Sequence, residues 1–163
     1  MSRTGPHDQL PTVSEACAHE AQVLALSITR FIAAGYMTQD VACWDAGCQC
    51  AEEALGPAHA PRLVAALIGV MRALRTERKQ PWQFMPATCC RVTRDEIDLL
   101  RALSQARGSD RSARAASTRD LAGGGASPRL MAALEAATET LEAIKPMLAA
   151  LVPVRPATPS TRP

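Results

Sequence analysis

The sequence predicts an all-α protein, a compact bundle of five or six helices with disordered N- and C-terminal tails. Three observations carry that reading. Aromatic residues make up only 3% of a chain that is 47% hydrophobic, so Leu, Ile, Val, Met and Ala must fill the core. Ala is the best helix former, and small residues let helices approach closely. The apolar residues recur at spacings of three and four. Strong breakers (Gly35, Gly56-Pro57, Pro81, Gly108 and Gly123-Gly124-Gly125) separate these periodic stretches.

A chain of 163 residues fits one domain and buries a core without needing disulfides. We read residues 1–11 as a disordered leader, 12–151 as one helical domain with a flexible joint near 122–127, and 152–163 as a disordered Pro-rich tail. The net charge of +2 does not by itself imply a polyanionic partner. No apolar run reaches 18 residues, so no membrane span is expected; Arg72 interrupts the nearest candidate, Leu63 to Leu74. The polar N-terminal residues contain no secretory signal, which makes the cytoplasm the expected compartment. Six cysteines there point to thiols or metal ligands rather than a disulfide framework.

In chain order, the first helix is expected from Val13 to Ala34, with Cys17, Ala21, Leu24, Ile28 and Phe31 as its apolar stripe and Gly35 as its stop. Thr38 is the expected cap of a second helix ending at Gly56-Pro57. A third begins at Pro61, buries Leu63, Leu67, Val70 or Met71, and Leu74, and ends in a basic cluster that suits its dipole. The connector Pro81 to Glu96 holds Trp82, Phe84, Pro86 and the pair Cys89-Cys90. Thr93 and Glu96 have capping-box spacing for the next helix, which buries Ile97, Leu99, Leu100 and Leu103 and closes near Gly108. Residues 109–122 fit either a short polar helix or a loop. Ser127 is then the expected cap of a last helix with Pro128 in its first turn. That helix carries a regular seam of Leu130, Leu134, Ala137, Leu141, Ile144, Leu148 and Leu151. Pro146 should kink or split it, at a cost of about 3 kcal/mol.

The candidate metal residues are Cys43 and Cys50, seven apart on one helical face, with Cys89 and Cys90; four thiolates suit a structural zinc ion. There is no Cys-x-x-Cys pair, and ordinary burial of the thiols is the competing reading. Arg91, Arg94 and the adjacent helix start would lower the thiol pKa of Cys89-Cys90, so a reactive or vicinally bonded pair is a further reading. Trp82, Phe84 and Trp44 are the candidate interaction residues, with Cys43 and Trp44 as a wall facing the connector. His7, His19 and His59 form no catalytic spacing with Ser, Cys or an acid. Asp95 and Glu96 are explained by a helix start, and Asp98 by a solvated face. Arg107, Arg111, Arg114 and Arg119 could offer a phosphate-binding stripe, but Asp110 and Asp120 dilute it and no aromatic stands nearby. The triple glycine lacks the Lys-Ser/Thr of a nucleotide-binding loop.

The set Cys43-Trp44, Leu55-Gly56-Pro57, Cys89-Cys90, Asp95-Glu96 and Leu99-Leu100 resembles a family of short, uncharacterised helical proteins of alphaproteobacteria. The likeness spans about Leu24 to Leu103 and implies an all-α fold without assigning an activity. Those proteins often carry another Cys or Pro after the pair, where this chain has Arg91-Val92. The leading functional expectation is a non-enzymatic protein-interaction or regulatory module with an unidentified protein partner. A thiol or zinc protein centred on Cys43, Cys50, Cys89 and Cys90 is the alternative, and nucleic-acid binding through Arg107 to Arg119 a weaker one.

Overall fold

The computed structural model describes residues 10–151, without the side chain of Leu151. Among them are seven helices: α1 (Val13–Ala16), α2 (Glu20–Thr38), α3 (Val41–Leu55), α4 (Ala60–Glu77), α5 (Arg94–Gln105), α6 (Arg111–Ala122) and α7 (Pro128–Leu151). α2 packs chiefly on α3, α4 on α7, and α5 on α6. The core lies where α2, α4, α5 and α7 meet, with Ile28, Ile32, Leu63, Leu67, Leu99, Leu130 and Leu134 almost fully buried. Each such side chain contributes about 1.5–3 kcal/mol by leaving water. A smaller cluster of Leu26, Val92 and Leu100 lies under α1 and the connector, with Val13, Ala16, Cys17 and Ile97 against it.

The seam of α7 faces inward, as expected from its period: Leu130, Leu134, Ala137, Leu141, Ile144 and Leu148 are all buried. This stripe packs in the chain's own core rather than on a partner. Pro146 does not split α7. It sits on the exposed side together with Glu142, so water can reach the carbonyl that Pro146 leaves unbonded.

Several boundaries differ from expectation, each for a local reason. The long first helix is two helices, because Cys17 and His19 are both extended. The Gln22 side chain accepts from the Ala18 amide at 2.7 Å and stabilises the break. Residues 10 and 11 are not loose: the Arg91 guanidinium donates to the Leu10 carbonyl at 2.8 Å, and the Val92 amide to Pro11 at 2.9 Å. The rest of the expected leader, 1–9, and the tail 152–163 lie outside the described residues.

Gly35 does not stop α2, which continues to Thr38 with Gln39 as its left-handed cap at φ 57°. Asp40, not Thr38, caps α3, accepting from the Ala42 amide at 2.9 Å. Residues 111–122 are helical because Asp110 accepts from the Ser112 and Ala113 amides at 2.8 and 3.1 Å. The glycines expected as a joint instead close α6. Gly123 is left-handed at φ 77°, its amide bonds the Asp120 carbonyl, and that of Gly124 bonds Arg119, which is a Schellman cap.

Ser127 stands at the start of α7, but its hydroxyl is buried without a partner. Glu77, at the end of α4, takes the role by accepting from the Arg129 and Leu130 amides at 3.2 and 3.0 Å. A carboxylate makes the stronger bonds to free helix-start amides.

Candidate functional site

The connector is wound around one side chain. Arg30 lies on α2, is only 2% exposed, and pairs with Glu96, which is 0% exposed. Its Nε donates to Glu96 Oε1 at 2.7 Å and its Nη2 to Oε2 at 3.1 Å. Nη1 reaches the Cys89 carbonyl at 2.7 Å and that of Pro86 at 3.5 Å, and Nη2 also bonds the Arg91 carbonyl. All five N–H groups of the guanidinium therefore have an acceptor. Glu96 is equally occupied, because the Met85 and Thr93 amides donate to its two oxygens at 3.2 and 2.8 Å. The expected capping box of Thr93 and Glu96 is present, and the same carboxylate neutralises a buried cation.

A second pair holds the other end. Arg78 binds Asp95 through both carboxylate oxygens at 2.9 Å and donates to the carbonyls of Leu121 and Gln80 at 2.8 and 3.1 Å. The Gln83 amide donates to Asp95 at 2.7 Å. The Trp82 indole donates to the Asp95 carbonyl at 3.3 Å, and its ring stacks on Phe84 at 5.7 Å. Trp82 and Phe84, expected as contact residues, are half-buried against the main core. Asp98, expected on a solvated face, is buried and pairs with Arg94 and Arg101.

Trp44 packs on α2. A Cβ at Gly35 would lie 2.6 Å from its Nε1, so glycine is what lets the indole approach. Its ring meets Tyr36 edge-on at 4.7 Å, and the Arg75 guanidinium sits 4.1 Å over the Tyr36 face. Met37 and Val41 flank the α2–α3 turn at 75% and 68% exposure.

All six cysteines are free thiols. Cys43 lies within 3.9 Å of the Thr38 hydroxyl, and Cys50 is half-buried against the core, where burial and then the Glu53 charge raise its pKa. Cys89 and Cys90 lie in the connector turn, with Cys89 Sγ accepting from the Arg91 amide at 3.5 Å. Among the described residues no three His, Cys, Asp or Glu side chains are grouped to hold a metal ion, and these four thiols do not form such a group. Cys90 instead shares a groove of about 530 Å³ with Cys17, Val13 and Glu20. Burial pushes the Cys17 thiol up to about 11.

His19 lines a smaller crevice of about 170 Å³ with Gln22, Ser104, Thr138, Glu142 and Lys145. Desolvation and then the Lys145 charge hold its pKa below 6.5. His59 is exposed at the start of α4 and makes no capping bond, while His7 lies outside the described residues. The arginine stripe is partly neutralised: Arg107 pairs with Glu139 and Glu142, and Arg114 with Glu135, at 3.6–3.7 Å.

Sequence reasoning missed Arg30, and it read Arg78 only as part of a basic helix end, not as the partner of Asp95. A lone arginine in the middle of an apolar stretch was the available signal for Arg30. No protein-family model, curated protein or solved structure matches this chain. No helix of the described residues is long and apolar enough to cross a membrane.

Proposed function

We propose that this is a non-enzymatic, cytoplasmic interaction module that binds a basic, amphipathic segment of another protein at the α2–α3 tip and the outer face of α3. The observation that carries this is the exposure of Met37 and Val41, at 75% and 68%; among the described residues no other large apolar side chain is exposed. Charge defines the partner. From Phe31 to Pro61 the chain has no Lys or Arg, while Asp40, Asp45, Glu52 and Glu53 are exposed there. A cationic helix or strand with one apolar face complements such a surface and is steered to it. Six free thiols suit a reducing compartment.

Benzophenone crosslinking from position 41 in native cells tests the proposal, with the exposed position 111 at the start of α6 as the control. The expected result is a discrete adduct specific to position 41. Its crosslinked peptide should be rich in Lys or Arg, and its yield should fall as salt rises. No adduct above the control, or a partner peptide without basic residues, overturns it.

A further inference from the structure

We propose that Cys17 and Cys90 are a redox-responsive thiol pair, which a low-molecular-weight disulfide converts into an intramolecular Cys17–Cys90 bond. This stands apart from the binding face on α3 and rests on the backbone between an N-terminal strap, residues 10–17, and the connector. Thr12 and Arg91 form an antiparallel bridge, and the Val13 amide donates to the Cys90 carbonyl at 2.8 Å. The Cys17 amide bonds the Val13 carbonyl at 2.9 Å, so Cys17 stands one helical turn beyond the residue tied to Cys90. Both thiols line the same groove, Cys90 exposed and Cys17 half-buried.

The alternative within the connector is less suited. Adjacent Cα atoms lie about 3.8 Å apart, short of the roughly 4.4–6.8 Å that disulfides usually span. The Cys89 carbonyl is also held by Arg30, and that of Cys90 by Val13, so the intervening chain is not free to twist.

The chemistry proceeds in two exchanges. The exposed Cys90 thiolate attacks one sulfur of glutathione disulfide, forming a mixed disulfide and releasing one glutathione thiolate. The Cys17 thiol then loses its proton to solvent and attacks Cys90 Sγ, expelling the second glutathione. Two protein thiols are oxidised, one glutathione disulfide is reduced to two thiols, and residues 12–17 become tethered to the connector. Burial raises the Cys17 pKa and limits its access, so the exposed Cys90 is the thiol that meets glutathione disulfide first.

The full chain would be equilibrated in reduced and oxidised glutathione, quenched in acid, alkylated and digested with trypsin. Cys17 falls in peptide 4–30 and Cys90 in peptide 80–91. The expected product joins these two peptides, persists in Cys89→Ser and disappears in Cys90→Ser. In Cys17→Ser and Cys17→Ala, each checked for native helicity, glutathione should instead remain on Cys90. A bond closed within peptide 80–91, a product that needs Cys89 instead of Cys90, covalent dimers, or glutathione adducts alone in the unsubstituted chain would each overturn the assignment.

Discussion

Replacing Arg30 by Met keeps an apolar stem in place and removes the guanidinium. Glu96 is then a fully buried carboxylate with two amide donors left, Met85 and Thr93. The carbonyls of Pro86, Cys89 and Arg91 lose the donor that Arg30 supplied. Breaking a buried pair in this way costs about 3–5 kcal/mol. That is a large share of the roughly 5–15 kcal/mol that holds a domain folded. For a chain of this size it corresponds to a fall of about 6–20 °C in Tm. Urea unfolding followed by circular dichroism measures it directly. Hydrogen exchange adds a local readout, since the amides of Met85 and Thr93 should lose protection before those of α4.

The double variant Arg30→Met/Glu96→Met separates the pair from its surroundings. It removes both charges, so its cost should fall short of the summed single costs by about 0.5–3 kcal/mol. It should not recover the original stability, because the Cys89 and Arg91 carbonyls and two amides remain without partners, at roughly 1–3 kcal/mol each, while Pro86 keeps the Cys89 amide. Arg30→Lys should also fail to rescue, since an ammonium offers three donors where the site uses five. If Arg30→Met costs less than about 1 kcal/mol, the value of an exposed ion pair, then Arg30 does not organise the connector.

Other substitutions test the remaining architecture. Gly35→Ala places a Cβ 2.6 Å from Trp44 Nε1 and should destabilise by about 1–3 kcal/mol, while Gly69→Ala in α4, with nothing within 4 Å, should stabilise by about 0.5–1 kcal/mol. Equal effects in thermal melts would mean that Trp44 does not need the glycine. Glu77→Ala removes the cap of α7 and should cost about 1 kcal/mol, with faster exchange at Arg129 and Leu130; unchanged exchange there would refute the capping role. His19 should titrate by NMR with a midpoint below 6.5. The fold favours its neutral form, so the stability it adds is present above its ordinary pKa of 6.5 and is lost as pH falls below it. His19→Gln should flatten that slope, and a midpoint at or above 6.5 would remove the basis for it.

What could be read from the chain was what neighbouring residues determine. The period of Leu130 to Leu148, the Thr93–Glu96 box and the Gly56-Pro57 stop all act within a few residues, and each is present. Arg30 was hidden because its partners lie 56–66 positions away. A single arginine on a helix reads as a solvated charge until those partners close over it. Glu77 supplanted Ser127 for the same reason, acting 52 positions ahead of Arg129. Gly35 was mistaken for a stop because its actual constraint, the indole of Trp44, belongs to another helix. The break at Cys17–His19 carries no Gly or Pro; the side chain of Gln22 and the pairing of the strap with Arg91 and Val92 hold it.

These long-range constraints also bear on the proposed binding face. The residues that made the connector stand out are largely engaged inside the molecule, which leaves the α2–α3 tip as the exposed apolar feature among the described residues. Close to that tip in the chain, Trp44 packs on Gly35 and Tyr36, and Arg75 covers the Tyr36 ring, which braces the end of α2 against the start of α3. A braced surface loses little conformational entropy on binding, which favours affinity. Trp44→Leu removes the brace without altering Met37, Val41 or any acidic residue of α3. It should therefore lower the crosslinking yield from position 41 while the fold, followed by circular dichroism, is retained. An unchanged yield in a folded Trp44→Leu protein would show that the tip binds without this support and that Trp44 serves only the packing of α3 on α2.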